Sequence, residues 1–134
     1  MRCWVGLACY APLCDNIYYI SIHRTPPIYI HRAQQRVVLF SHAPLHPESC
    51  TPDCLCWDYQ DILALLNQHR GLVALCLAGH AHAARVYRDE DGSGAVFCTL
   101  DSPLEQLDAF LTVRVYGDRI VVEGCGANAS VVID

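Results

Sequence analysis

The stretch "LVALCLAGHAHAARVY", residues 72–87, decides the fold. Its first half is apolar without a break, closes on Gly79, and is followed by His80 and His82 at alternate positions. An unbroken apolar run of strand length fits a strand covered on both faces, the situation of strands in parallel sheets. Upstream, "RVVLFSH" (36–42) is a second run of this kind, β-branched and apolar, and it too ends on a histidine, His42. Between the two, a proline-broken loop, "APLHPESCTPDCLCW" (43–57), leads into "YQDILALLNQHR" (59–70). There Asp58 is placed to cap a helix, Asp61 stands in its first turn, and Ile62, Leu65, Leu66 and His69 share one stripe. Arg70 and Gly71 end it. Strand, helix and strand in this order predict a right-handed crossover between parallel neighbours.

Downstream the pattern changes. "AARVYRD" (83–89) and "GAVFCTL" (94–100) read as strands joined by the turn-rich "DEDGSG", with Asp89, Glu90 and Asp91 expected in a solvated turn. "FLTVRVYGDRIVVEG" (110–124) reads as a hairpin around Gly117-Asp118, with Leu111, Val113 and Val115 alternating against Thr112, Arg114 and Tyr116. Residues 1–35 differ. They mix Cys, Tyr, Pro and His without a sustained period and are expected to form an irregular N-terminal segment, leaving 36–134 as the folded α/β portion.

With 134 residues the chain has room for one domain of modest size. A composition of 53% hydrophobic and 17% charged residues excludes a chain disordered throughout. A net charge of −5 argues against nucleic acid or an anionic membrane as the main partner. No apolar run is long enough to span a bilayer. The nine cysteines are odd in number, and several sit in strand-like runs such as "ALCLAG" and "AVFCTL". They read as reduced, buried small hydrophobes in a cytoplasmic setting, not as a disulfide framework.

The histidines carry the chemistry. Sites gather outside the carboxyl ends of parallel strands, so His42, His80 and His82 are expected on one edge of the sheet. A neutral imidazole is a common ligand for divalent transition metals. Two histidines one residue apart can serve two ions or two sides of one, and Gly79 is expected to supply the tight turn that brings both rings inward. Cys50, Cys54 and Cys56 offer a C-x₃-C-x-C spacing, but the distant second pair that a structural zinc module would want is not evident.

These residues also carry a resemblance. "VVLFSHAPLHP", followed by a helix, a strand and "AGHAH", resembles the C-terminal half of the calcineurin-like metallophosphoesterases. With "CLCWDYQD" and "TLDSPLE" added, the pattern is most similar to the manganese-dependent ADP-ribose/CDP-alcohol diphosphatases, over about residues 34–126. The resemblance implies an α/β fold: the C-terminal part of a four-layer α/β/β/α sandwich, incomplete here, with only the C-terminal sheet and its crossover helix expected. It implies a metal-dependent hydrolase acting on small nucleoside diphosphate compounds, taking ADP-ribose to AMP and ribose 5-phosphate, or CDP-alcohols to CMP and a phosphoalcohol. The implied cofactor is Mn²⁺ in a dinuclear site, although the ligand types also suit Mg²⁺, iron or zinc. Carried over by motif, His42 and His80 ligate one ion and His82 the other. His46 is placed to contact phosphate, and Trp57 and Tyr59 to stack on a nucleobase.

The sequence departs from the family in the other half of the site. It contains no Asp-x-His, no Gly-Asp-x-x-Asp and no Gly-Asn-His segment; "CDNIYYISIHR" offers Asp15 and His23 at another spacing. Three neutral imidazoles without a carboxylate do not offset two divalent charges. No residue is therefore assigned a catalytic role. The alternative expectation is an inactive truncated isoform or gene-model fragment, weakly stable and associating through an exposed sheet edge.

Overall fold

Val37–Ser41 forms β1, Tyr59–Gln68 forms α1, and Val73–Ala78 forms β2. β2 lies parallel to β1, with Leu39 opposite Cys76 and Ser41 opposite Ala78. The computed structural model describes residues 36–134, so the irregular segment expected over 1–35, with Asp15 and His23, lies outside the described residues. The chain continues through β3 (Arg85–Arg88), β4 (Val96–Thr99), β5 (Leu111–Val115), β6 (Ile120–Gly124) and β7 (Val131–Ile133). One sheet has the order β1-β2-β4-β3, in which β4 runs parallel to β2 and β3 antiparallel to β4. The other is the antiparallel β5-β6-β7.

Burial explains the arrangement. Every residue of β2 and β4 is buried, as their unbroken apolar sequences require. On one face Val37, Leu39, Val73, Cys76 and Phe97 pack beneath Leu66 of α1. On the other, Val38, Leu75, Leu77, Val96 and Cys98 meet Ile120, Val122 and Ile133 of the second sheet. The described residues thus build three layers, α/β/β. This corrects the expectation of a single sheet and its helix. The alternating hairpin presents Leu111, Val113 and Val115 inward and, with β7, supplies the layer that covers the first sheet.

The helix differs from its reading in two respects. Its inward face carries Tyr59, Ile62, Leu63 and Leu66, while Leu65 is 54% exposed. The spacing 59, 62, 63, 66 is the same helical period begun three residues earlier. Asp58 occupies the N-cap but makes no capping bond with its side chain. At the other end the His69 N–H donates to the carbonyls of Leu65 and Leu66, and Gly71 takes φ +80° to redirect the chain into β2.

The acidic turn between β3 and β4 is not simply solvated. Asp89 is only 8% exposed, and its carboxylate accepts from the Ser93 N–H at 2.7 Å and the Ser93 hydroxyl at 2.8 Å. The Gly92 N–H adds a third bond at 3.2 Å. Burial pushes this carboxyl up, but the Ser93 and Gly92 donors, with the nearby His46, leave it below its ordinary value. The Arg70 guanidinium donates to the carbonyls of Glu90 and Gly92, tying the helix end to this turn. Among the described residues no helix is long and apolar enough to cross a membrane.

Candidate metal centre

Because β1 and β2 run parallel in register, Ser41 and Ala78 end side by side, and the Gly79 N–H donates to the His42 carbonyl at 3.2 Å. His42 and His80 therefore emerge at one edge. His80 Nδ1 stands 3.1 Å from His42 Nε2, with ring centroids 4.8 Å apart and planes inclined by 58°. Two imidazole nitrogens bound to one ion at ~2.1 Å lie about 2.9–3.4 Å apart for ligand angles of roughly 90–109°. The pair has the spacing of two adjacent ligands.

The backbone reaches this geometry by an unexpected route. Gly79 is not among the residues with positive φ; His80 and His82 are, at +63° and +47°. The Ala81 N–H donates to the Gly79 carbonyl at 2.7 Å, closing a three-residue γ-turn with His80 at its centre. A γ-turn with positive central φ is the rare, strained form, and left-handed backbone costs a non-glycine residue about 1–2 kcal/mol. Such strain persists where the surroundings over-determine it, and it clusters at functional sites.

His82 faces elsewhere. Its Nδ1 lies 3.0 Å from Glu105 Oε1, on the segment that follows β4. Sequence reasoning missed Glu105, although the signal was present. β4 runs parallel to β2, so the residues after Thr99 return to the edge reached by those after Ala78. Among the described residues no three His, Cys, Asp or Glu side chains converge as a metal-holding group. His42 and His80 fit two adjacent positions of a coordination shell, and their neutral imidazole nitrogens suit a divalent transition metal.

The chain is similar to known proteins in this same portion. No family model matches it. The manganese-dependent ADP-ribose/CDP-alcohol diphosphatase of Danio rerio is 38% identical over 96 residues, covering 69% of this chain and 29% of that relative. The human protein of the same name is 35% identical over 96 residues, with 69% and 27% covered. The crystal structure of a dimetal phosphatase from Danio rerio superposes with a TM-score of 0.69 at 37% identity, over 75% of this chain and 32% of that one. The chain is thus similar in fold to part of a dimetal phosphatase. The chain spans less than a third of the length of the curated relatives it matches.

Around the histidine pair, the loop residues singled out from the sequence separate. His46 is 8% exposed; its Nδ1 accepts the Glu48 N–H at 3.1 Å, capping the 3₁₀ turn Pro47–Ser49. Its ring stacks on Tyr87 at 4.3 Å and meets Phe97 at 4.9 Å. Burial holds its pKa below the ordinary value, against the opposing pull of Asp89 and Glu48. In this state His46 has a structural occupation. Tyr59 packs on the helix-side core, whereas Trp57 is 84% exposed. Cys50 and Cys56 are buried, and the Cys54 sulfur accepts from the Thr51 hydroxyl at 3.6 Å. They form no metal cluster with other described residues.

Proposed function

We infer that residues 36–134 form the histidine-bearing part of a metal-dependent hydrolase of nucleoside diphosphate compounds, with His42 and His80 on one ion and His82 on a second. The observation that carries this reading is the 3.1 Å between His42 Nε2 and His80 Nδ1, the spacing of neighbouring ligands, in a fold similar to a dimetal phosphatase. The names of the similar proteins support Mn²⁺ as the metal, and ADP-ribose and CDP-alcohols as the substrates. Bound divalent ions polarise a phosphoryl oxygen and lower the pKa of water. The chain's own residues orient. The γ-turn aims His80 at His42, and the exposed indole of Trp57 offers a face on which a nucleobase can stack, with Tyr59 and His46 fixing the loop behind it. A net charge of −5 speaks against nucleic acid as a partner. Cysteines buried inside strands, Cys76 and Cys98, favour a reducing, cytoplasmic setting. Among the described residues β1 lies at the edge of its sheet, a position that favours association.

A second reading is a chain that folds without turnover. It is favoured by one observation: among the described residues no third ligand joins the His42–His80 pair. Manganese binding and Mn²⁺-dependent release of AMP from ADP-ribose, measured on the chain and on a His80→Ala/His82→Ala variant, separate the two. Turnover that the variant abolishes makes the chain itself an enzyme. Manganese bound without turnover supports the second reading. A folded chain that binds no manganese overturns the ligand assignment.

A further inference from the structure

We propose that Glu105 is a positioning residue that selects the tautomer and direction of the His82 ring. The proposal rests on the reading of His82 as a ligand. An ionised carboxylate only accepts hydrogen bonds, so at 3.0 Å from Glu105 Oε1 the His82 Nδ1 is the protonated nitrogen. In the neutral ring Nε2 then keeps its lone pair, the form in which an imidazole binds a metal. Carboxylate partners of this kind fix the ring of a ligating histidine and raise its basicity.

The carboxylate is delivered by a built segment. The Glu105 N–H donates to the Ser102 carbonyl at 3.1 Å, and the Leu104 N–H to the Ser102 hydroxyl at 3.2 Å. Asn128 anchors this turn from the second sheet's side: its Oδ1 accepts the Asp101 N–H at 2.8 Å, and its amide donates to the Cys125 carbonyl at 3.2 Å. Asp101, Ser102 and Asn128 are all buried. Glu105 thus projects from a pinned turn, although its own side chain and that of His82 are wet. His82 sits at φ +47°, so its backbone direction is also constrained. Ring and acceptor are each held by their own loop.

The test uses the full chain and manganese as the probe. Long-range ¹H–¹⁵N NMR on the metal-free protein reads the His82 tautomer, and electron paramagnetic resonance reads free Mn²⁺ on titration. Glu105→Ala is compared with wild type and with Glu123→Ala, which removes the same charge from the Arg114 pair on the second sheet. The wild type and Glu123→Ala are expected to carry the proton on Nδ1. Glu105→Ala is expected to move it towards Nε2 and to weaken manganese binding about 10-fold. Glu105→Asp should restore part of both. An unchanged tautomer in Glu105→Ala overturns the proposal, as does equal loss of manganese binding in Glu123→Ala. If no variant binds manganese yet the tautomer follows Glu105, the orienting role stands and the ligand reading falls.

Discussion

The two sheets of this molecule solve the same burial problem in opposite ways. The three parallel strands β1, β2 and β4 are covered on both faces, by α1 and by the neighbour sheet, so they are apolar almost throughout, while the edge strand β3 is largely exposed and carries Arg85 and Arg88. Among the described residues the β5-β6-β7 sheet has one covered face, and its strands alternate: in β5, Leu111, Val113 and Val115 point in while Thr112 and Arg114 point out. The connections differ accordingly. The antiparallel hairpin closes over Gly117-Asp118 with one Tyr116 N–H to Arg119 carbonyl bond of 2.8 Å. The parallel strands end in open loops, and these carry the histidines. Chemistry collects where a doubly buried strand must let its chain out, and the one-sided sheet serves as cover.

The largest effect that sharpens this contrast is in the core. Phe97 of β4, buried on the α1 side of its sheet, should lose about 3–5 kcal/mol on truncation to alanine. Val113→Ala, on the half-covered sheet, should lose about 1 kcal/mol, because only part of its side chain leaves water on folding. Chemical denaturation of the two variants measures the difference, and equal losses would break the distinction between the sheets.

The next effect concerns the strained loop. His80→Gly and His80→Ala both delete the imidazole, but only alanine retains the penalty of positive φ. The glycine variant should be the more stable by about 1 kcal/mol. The same pair of substitutions at Tyr116, beside the relaxed hairpin turn, should reverse the order, since glycine weakens a strand end. Thermal melts of the four variants decide it.

The smallest effect is a pH dependence confined to the first sheet's side. Burial holds His46 below 6.5, so the unfolded chain takes up a proton that the folded chain refuses, and stability falls as pH drops below 6.5. Asp89, held below 3.8, contributes stability present above that pH and lost as pH falls further through its folded value. His46→Gln should flatten the upper limb of the stability curve and Asp89→Asn the lower one. Urea midpoints between neutral pH and about pH 3 read both limbs.

Much of this was legible from residue order. The parallel pair β1 and β2, the β3–β4 hairpin and the alternation of β5 follow from runs whose period is set by which faces are covered. So does the shared edge of His42 and His80. Leu65 was misplaced because a ten-residue helix fits several neighbouring stripes, and only the sheet beneath it chooses among them. Asp89 looked solvated because a run of acids in a turn says nothing about donors that fold back onto one of them. Glu105 was overlooked for another reason. Its partner lies far along the chain, and only the pairing of β2 with β4 brings the two loops together.

Asn128 gives the molecule an order in time. Its side chain holds the turn that presents Glu105, yet it follows that turn in the chain by two further strands. A ribosome that has already made His42, His80, His82 and Glu105 has still to make the residue that locks the last of them in place. The histidine loops can therefore be present on a nascent chain before the turn facing His82 is fixed, and the site closes only when the covering sheet arrives.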